Sequence, residues 1–103
     1  MKYVVALLAI LLSSQCYAKE LIVVGADWCS YCVKQKTYIE NNPQIIDGFI
    51  YEYLDIEEHP ELIKKLNIQV YPTSFIFDDN HKKVGELRGF TSEQFNNWIK
   101  KYE

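Results

Sequence analysis

The stretch Asp27-Trp28-Cys29-Ser30-Tyr31-Cys32 places two cysteines two residues apart, and the rest of the chain is organised around this pair. Cysteines at this spacing can close a small disulfide ring if the backbone between them turns sharply, as it does in the first turn of a helix. The apolar residues 21–24 predict a short buried strand before the stretch, and residues 33–39 after it are compatible with a helix. We therefore expect Cys29 to lie where a strand passes into a helix.

The two cysteines are predicted to have different roles, because they lie at different depths in the expected helix. The first backbone N–H groups of a helix lack partners and the helix dipole places partial positive charge there, so a thiolate on Cys29 is favoured over the thiol. Cys29 is therefore the predicted nucleophile. Cys32 lies one turn further into the helix, where it would be shielded, and we expect it to resolve the mixed disulfide that Cys29 forms with a substrate.

Other roles for a cysteine pair remain open at this point. Two cysteines can supply half of a zinc site, but a structural zinc ion needs four ligands, and only His59 and His81 are further candidates. Neither histidine belongs to a second pair, so we expect no metal and no other cofactor. A purely structural disulfide is also disfavoured, because closing so short a loop removes little chain entropy.

Residues 1–18 have the layout of a secretory signal peptide and are not expected to belong to the folded domain. Residues 4–12 are an unbroken apolar run, and a more polar tail ends at Ala18, after which we predict cleavage. A transmembrane helix needs about 20 apolar residues, so this run is short for a span. An uncleaved membrane anchor remains an alternative, whereas acylation at Cys16 is disfavoured because the residue before it is bulky.

The predicted mature chain, residues 19–103, is one domain without stable membrane insertion. It keeps Cys29 and Cys32 but no cysteine for structural disulfides, so its stability must come from the packing of its apolar side chains. Removing Lys2 with the leader leaves ten of the eleven basic side chains against fourteen acidic ones, a net charge of about −4. No basic patch interleaved with aromatic residues is present, which argues against nucleic acid as a partner.

The remaining segments predict an alternation of strands and helices. Residues 49–56 are rich in aromatic and branched side chains and predict a second strand. The helix before Pro43 would connect it in parallel to the first strand. A short helix is expected over residues 60–66, with Asn67 as a left-handed cap.

The end of the chain predicts a hairpin and a helix. Residues 73–77 and 83–88 predict two antiparallel strands joined by a turn. Thr91 and Gln94 form a capping box at the start of the last helix, and an apolar stripe follows at helical spacing, so this stripe is expected to face the sheet. The stripe consists of Phe95, Trp98, Ile99 and Tyr102.

The predicted order is strand, helix, strand, helix, strand, strand, helix, with the cysteine pair at the first junction. This order, together with Ala26-Asp27-Trp28-Cys29-Ser30-Tyr31-Cys32 and Val70-Tyr71-Pro72-Thr73, resembles the thioredoxin family over residues 21–102. The resemblance implies an α/β protein with the minimal thioredoxin fold, βαβαββα. In that fold a central mixed four-stranded sheet has helices on both faces.

The resemblance also implies roles for residues around the cysteine pair. Pro72 is expected to be cis and to pack beside the pair, while a trans proline that only starts a strand is the alternative. In relatives the residue before this proline offers backbone hydrogen bonds to an extended substrate, and here that role falls to Tyr71. Trp28, Tyr71 and Pro72 are thus the expected substrate-binding residues, and Cys29 and Cys32 are the expected catalytic, redox-active pair.

Within the family, the chain looks most similar to extracytoplasmic reductases, especially the C-terminal domain of the transmembrane disulfide-interchange protein. This similarity lies in Ala26-Asp27-Trp28-Cys29, Tyr38 and Pro43-Gln44. Ser30-Tyr31 and Val33-Lys34 look like glutaredoxin instead, but the paired glycines of that family are missing. A glutathione site is therefore poorly supported.

Two positions depart from cytoplasmic thioredoxins, which carry a buried aspartate on the first strand and a lysine on the next. The matching positions here are expected to be Val23 and Tyr51. The usual proton acceptor for the resolving cysteine is therefore missing. Asp27 or a bound water could substitute, although Asp27 can equally be a solvated loop residue.

These features predict an exported thiol–disulfide oxidoreductase, with a reductase or electron carrier favoured. Its partners would be protein thiols and disulfides and, in an oxidising compartment, a membrane-bound electron donor. We expect a monomer in the bacterial periplasm, with secretion or anchoring by an uncleaved leader as alternatives. The alternative function is a non-catalytic binding module that holds cysteine-containing client proteins with Trp28 and the groove at Tyr71 and Pro72.

Overall fold

Alternating strand-forming and helix-forming segments fill residues 19–103, the part of the protein that the computed structural model describes. The predicted leader and its cleavage site lie outside this part. In chain order the elements are β1 (Lys19–Gly25), α1 (Ser30–Asn41), β2 (Phe49–Asp55), α2 (Glu61–Lys65), β3 (Thr73–Phe77), β4 (Lys83–Arg88) and α3 (Ser92–Lys100). This is the predicted order. None of these helices is both long enough and apolar enough to cross a membrane.

The strands form one mixed sheet in the order β2, β1, β3, β4. β1 pairs in parallel with β2 and antiparallel with β3, and β3 pairs antiparallel with β4. β1 is thus an interior strand with side chains packed on both faces, which explains its unbroken apolar run at residues 21–24. The expected mixed four-stranded sheet is confirmed.

One face of the sheet is covered by α1 and α3. Phe95, Trp98 and Ile99 of α3 form a core cluster with Val23 of β1 and Ile39 of α1. All five side chains are buried, as the apolar stripe of α3 predicted. Full burial of an aliphatic or aromatic side chain stabilises a fold by about 1.5–3 kcal/mol, so this face supplies much of the stability.

The opposite face is covered by the segment that contains α2. Val24 of β1 and Phe75 of β3 form a second core cluster with Ile56 and Ile68, which lie before and after α2. α2 itself has only five residues. Asn67 follows it with a φ of 54°, the left-handed conformation predicted for its cap. Helical segments therefore lie on both faces, as expected.

Between α1 and β2 the structure contains a turn that the sequence did not predict. A 3₁₀-helix spans Pro43–Ile46 and begins with the proline, which has no N–H to leave unpaired at a helix start. Ile45 and Ile46 pack against the core cluster shared by α1 and α3. Pro43 thus ends α1 as expected, but the chain then coils tightly so that these two isoleucines can reach the core.

The N terminus of α3 provides a test of how this helix is anchored. The Thr91 hydroxyl accepts a hydrogen bond from the N–H of Gln94 at 3.1 Å. We expect Thr91→Ala to lower the free energy of unfolding by about 1 kcal/mol, because that N–H loses its partner. Urea denaturation measures the change. Thr91→Ser keeps the hydroxyl and is the matched control, and an equal loss in both variants would contradict a capping role.

Candidate active site

The cysteine pair, Cys29 and Cys32, lies where β1 passes into α1, as the sequence predicted. After β1 ends at Gly25, the chain turns through a hydrogen bond from the N–H of Cys29 to the carbonyl oxygen of Ala26, at 3.1 Å. α1 begins at Ser30, and Cys29 has the extended backbone conformation of an N-cap residue. The turn therefore holds the Cys29 side chain at the open end of the helix.

The sulfur of Cys29 takes the place of the side-chain oxygen that caps many helices. Its Sγ accepts a hydrogen bond from the N–H of Cys32 at 3.3 Å. Unpaired N–H groups and the positive end of the helix dipole lie at the same place, and the first turn has no acidic side chain. Negative charge on this sulfur is therefore stabilised. Cys29 is also partly exposed, so a substrate can reach it.

Cys32 is enclosed by the fold. Its exposed fraction is 0%, and both cysteines are free thiols in this structure. Burial raises the pKa of Cys32 to about 12, and its hydrogen bond with Cys29 adds to the rise. Cys32 therefore keeps its proton at neutral pH. The cysteine pair has the asymmetry that an attacking and a resolving thiol require.

Tyr71 and Pro72 lie beside the cysteine pair although they are distant in the sequence. The bond between them is cis, as the resemblance implied. The Cys29 thiol donates a hydrogen bond to the carbonyl oxygen of Tyr71 at 3.7 Å, which joins the start of α1 to the segment before β3. Pro72 is buried and Tyr71 only partly so. Another protein could therefore touch Tyr71 here but not the ring of Pro72.

Trp28 forms the exposed part of the site. Its side chain is 63% exposed, and its ring meets the Tyr71 ring edge-on with 5.6 Å between the centroids. Its Nε1–H donates a hydrogen bond to Glu57 Oε2 at 2.8 Å, which restrains the indole ring. Sequence reasoning missed Glu57, because no local pattern connects it with a tryptophan 29 residues earlier.

Beneath the cysteine pair, the expected position of the family's buried aspartate is occupied by Val23, which is fully buried. Val23 pairs with Tyr53 on β2 and with Ser74 on β3. The sequence suggested Tyr51 for the lysine position. The strand register places Tyr51 next to Leu21, and Tyr53 is the β2 residue next to Val23.

The polar groups near the cysteine pair differ from those that the sequence suggested. Asp27 is exposed, so it is a surface residue of the turn. Asp55 ends β2 in register with Gly25, and its charge contributes to the raised pKa of Cys32. Deeper in the fold, Gln35 Nε2 donates a hydrogen bond to Ser74 Oγ at 2.8 Å. Sequence reasoning singled out neither Asp55 nor Gln35, since only strand pairing and helix packing bring them to the site.

Both histidines have acidic neighbours of their own. His59 Nδ1 lies 3.7 Å from Glu61 Oε2, and His81 Nδ1 lies 3.6 Å from Glu20 Oε1. Within residues 19–103, no three histidine, cysteine, aspartate or glutamate side chains are grouped so that they could hold a metal ion. Neither histidine therefore joins Cys29 and Cys32 in such a group.

No curated protein matches the chain, but many solved structures resemble it. A Plasmodium falciparum thioredoxin has 23% sequence identity and a TM-score of 0.75, covering 87% of this chain and 89% of that chain. A Fasciola hepatica thioredoxin has 19% identity and a TM-score of 0.76, covering 96% and 94%. A poplar thioredoxin h has 19% identity and a TM-score of 0.77, covering 99% and 90%. At these levels of sequence identity, the structural similarity shows that the chain shares the fold of these thioredoxins.

A family model described as a thioredoxin-like domain matches residues 15–103. The matched range contains both cysteines and the cis bond before Pro72. A Cys-x-x-Cys pair at a helix N terminus is suited to thiol–disulfide exchange. The chain therefore belongs to the thioredoxin family, as a thioredoxin-like domain whose Cys29 and Cys32 make it a thiol–disulfide oxidoreductase.

Proposed function

We propose that this protein is an exported reductase or electron carrier for protein disulfides, acting through Cys29-Ser30-Tyr31-Cys32. The observation that carries the proposal is the asymmetry of the two thiols. Cys29 is partly exposed and accepts a hydrogen bond from the N–H of Cys32, whereas the thiol of Cys32 is fully buried. A substrate disulfide can therefore reach only the first of them.

Reduction of a disulfide takes two steps. The Cys29 thiolate attacks one sulfur of the substrate disulfide, which forms a mixed disulfide and releases the other sulfur as a thiolate. Cys32 then loses its proton to solvent, attacks Cys29 Sγ and releases the second substrate thiolate. The cysteine pair loses two electrons and the substrate gains two, and the same steps in reverse oxidise a substrate dithiol.

Exposed apolar side chains next to the cysteine pair support a protein substrate. Trp28 directly precedes Cys29, and Tyr31 directly precedes Cys32. Val70 directly precedes Tyr71. The side chains of Trp28, Tyr31 and Val70 are exposed. Exposed apolar side chains near a reactive sulfur are favourable to cover with a partner. The Tyr71 carbonyl oxygen already contacts Cys29 Sγ, so an extended segment held along Tyr71 would bring its disulfide to the nucleophile.

Export and the direction of electron flow are supported by the sequence. The layout of residues 1–18 is that of a leader with cleavage after Ala18. The segment 26–29 resembles extracytoplasmic reductases, among them the C-terminal domain of the transmembrane disulfide-interchange protein. A reductase in an oxidising compartment needs a source of electrons, which a membrane-bound donor would provide. We place the protein in the bacterial periplasm as a monomer.

A second candidate function is a binding module for cysteine-containing clients. The contact between the exposed Trp28 ring and the Tyr71 ring favours it, because aromatic surfaces can hold a client without any exchange of electrons. In this case the aromatic surface would hold the client, and binding would not require the thiol of Cys29.

Reduction of insulin by dithiothreitol distinguishes the two functions. We expect the protein to accelerate the reaction and Cys29→Ser to abolish the acceleration, because the nucleophile is lost. Cys32→Ser is the matched variant: it can form mixed disulfides but cannot resolve them. When reduced Cys32→Ser is freed of dithiothreitol and then mixed with insulin, disulfide-linked complexes should accumulate on non-reducing gels. Client binding without acceleration, unchanged in Cys29→Ser, would support the binding module instead.

Expression of the full chain in a bacterium tests export. We expect the protein in the periplasmic extract, with an intact mass that corresponds to a chain beginning at Lys19, because cleavage is predicted after Ala18. A variant without residues 2–18 should stay in the cytoplasm and serves as the control. An uncut chain in the membrane fraction would support the anchored alternative.

The reduced protein should lose stability at alkaline pH. Burial raises the pKa of Cys32 from 9.0 to about 12, so the unfolded chain releases this proton at a lower pH than the folded chain. The stabilising contribution of the buried thiol is complete below about pH 9 and is lost as the pH rises towards 12. Urea denaturation at about pH 8 and about pH 11 measures the loss. Reduced Cys32→Ser is the control, and an equal loss in both would contradict this account.

A further inference from the structure

Tyr53 places a hydroxyl group next to the buried thiol of Cys32. A Cβ atom added to Gly25 would lie 2.8 Å from Cys32 Sγ and 2.8 Å from the hydroxyl oxygen of Tyr53. Cys32 Sγ and the Tyr53 hydroxyl oxygen are therefore separated by at most twice 2.8 Å. Any side chain at residue 25 would collide with both atoms. At such a separation one water can bridge the two groups.

The Tyr53 hydroxyl is buried and has no hydrogen-bond partner among residues 19–103. Buried polar groups in folded proteins almost always have a partner, so an unpaired hydroxyl beside a reactive sulfur calls for an explanation. Tyr51 Oη is also unpaired, but Tyr51 pairs with Leu21, four residues before Gly25. Tyr53 pairs with Val23, which is two residues before Gly25 and therefore on the same face of the sheet.

The fold holds the Tyr53 ring in place. Tyr53 pairs with Val23 on the interior strand β1 and packs against the core cluster beneath α1 and α3. Lys36 Nζ lies 4.7 Å from the centroid of its ring, and Lys36 belongs to α1, the helix that carries Cys32. Packing and the cation on its ring therefore fix the hydroxyl relative to the sulfur.

We propose that the Tyr53 hydroxyl donates a hydrogen bond to the sulfur of Cys32, directly or through one water, when Cys32 resolves the mixed disulfide. This inference rests on the thiol–disulfide exchange proposed above. A buried thiolate without a donor is costly, and a hydrogen bond to a charged atom is stronger than one to a neutral atom. Tyr53 would thereby stabilise the thiolate of Cys32 without accepting its proton.

The hydroxyl acts as a donor and not as a base, because it stays protonated. Burial raises the pKa of Tyr53 above its ordinary value, and the charges of Cys32 and Asp55 add to the rise. A phenol that keeps its own proton cannot also take the proton of Cys32. The other charged or titratable groups that act on Tyr53 are Asp27, Cys29 and Lys36.

The attack of Cys32 on the mixed disulfide exchanges one S–S bond for another. The bond between Cys29 Sγ and the substrate sulfur breaks, and the bond between Cys29 Sγ and Cys32 Sγ forms. The substrate leaves as a thiolate with the electron pair of the broken bond. Tyr53 is unchanged at the end, since it donates a hydrogen bond and transfers no proton.

Tyr53→Phe tests the proposal, because it removes the hydroxyl and keeps the ring. The reduced protein is mixed with one equivalent of an aromatic disulfide made of two nitrothiobenzoate groups, and stopped-flow absorbance follows the coloured thiolates. The first is released when Cys29 attacks and the second when Cys32 resolves. We expect the first rate to be unchanged and the second to fall about tenfold, as for loss of a hydrogen bond to a charged group. The pH profile of the second step should move to higher pH.

Tyr51→Phe is the matched control. It also removes a buried, unpaired hydroxyl from β2, and burial raises the pKa of that group to about 12, but the hydroxyl does not adjoin Gly25. We expect both rates and the pH profile to stay unchanged in Tyr51→Phe. Neither variant should be less stable in urea, because an unpaired hydroxyl is replaced by hydrogen.

Three results would overturn the role of Tyr53. In the first, the second step is as fast in Tyr53→Phe as in the unmodified protein. In the second, Tyr51→Phe slows the second step as much as Tyr53→Phe does. In the third, Asp55→Asn slows the second step but Tyr53→Phe does not. Failure of the proposed function looks different. In that case the unmodified protein would show no fast first release that depends on Cys29, whichever residue stands at position 53.

Discussion

The hydrogen bond from the N–H of Cys32 to Sγ of Cys29, at 3.3 Å, is the contact on which the site depends. It can form only if α1 begins directly after Cys29, and this requires β1 to end at Gly25 and the chain to turn at once. β1 is bonded to strands on both sides and buried on both faces, so the start of the turn is held firmly. A rigid interior strand thus presents an accessible sulfur at a helix end that stabilises negative charge.

Burial of Cys32 separates the roles of the two thiols but also creates a physical cost. A thiolate must form transiently at a buried position, where bulk water solvates it poorly. Val23 is apolar, and the hydroxyl that the structure places close to Cys32 Sγ is that of Tyr53.

Most of the fold could be predicted from the sequence, because its signals are local. The apolar run at 21–24 identified the interior strand, and the stripe of α3 identified the helix that covers the sheet. The 3₁₀ turn at Pro43–Ile46 was missed. Ile45 and Ile46 are adjacent and show neither the helical nor the strand periodicity that would predict an element. Only their packing against the core cluster explains the turn at this place.

The sequence by itself determined the order of the elements, the position of the cysteine pair at a strand-to-helix junction and the choice of Cys29 as the accessible thiol. These depend on residues that are neighbours along the chain. Only the tertiary structure decided that Glu57 restrains Trp28 and that Tyr53, and not Tyr51, lies beside Val23 and near Cys32. The physical reason is strand register: which side chains of β2 meet β1 is set by pairing and packing across the sheet, and no local pattern encodes it.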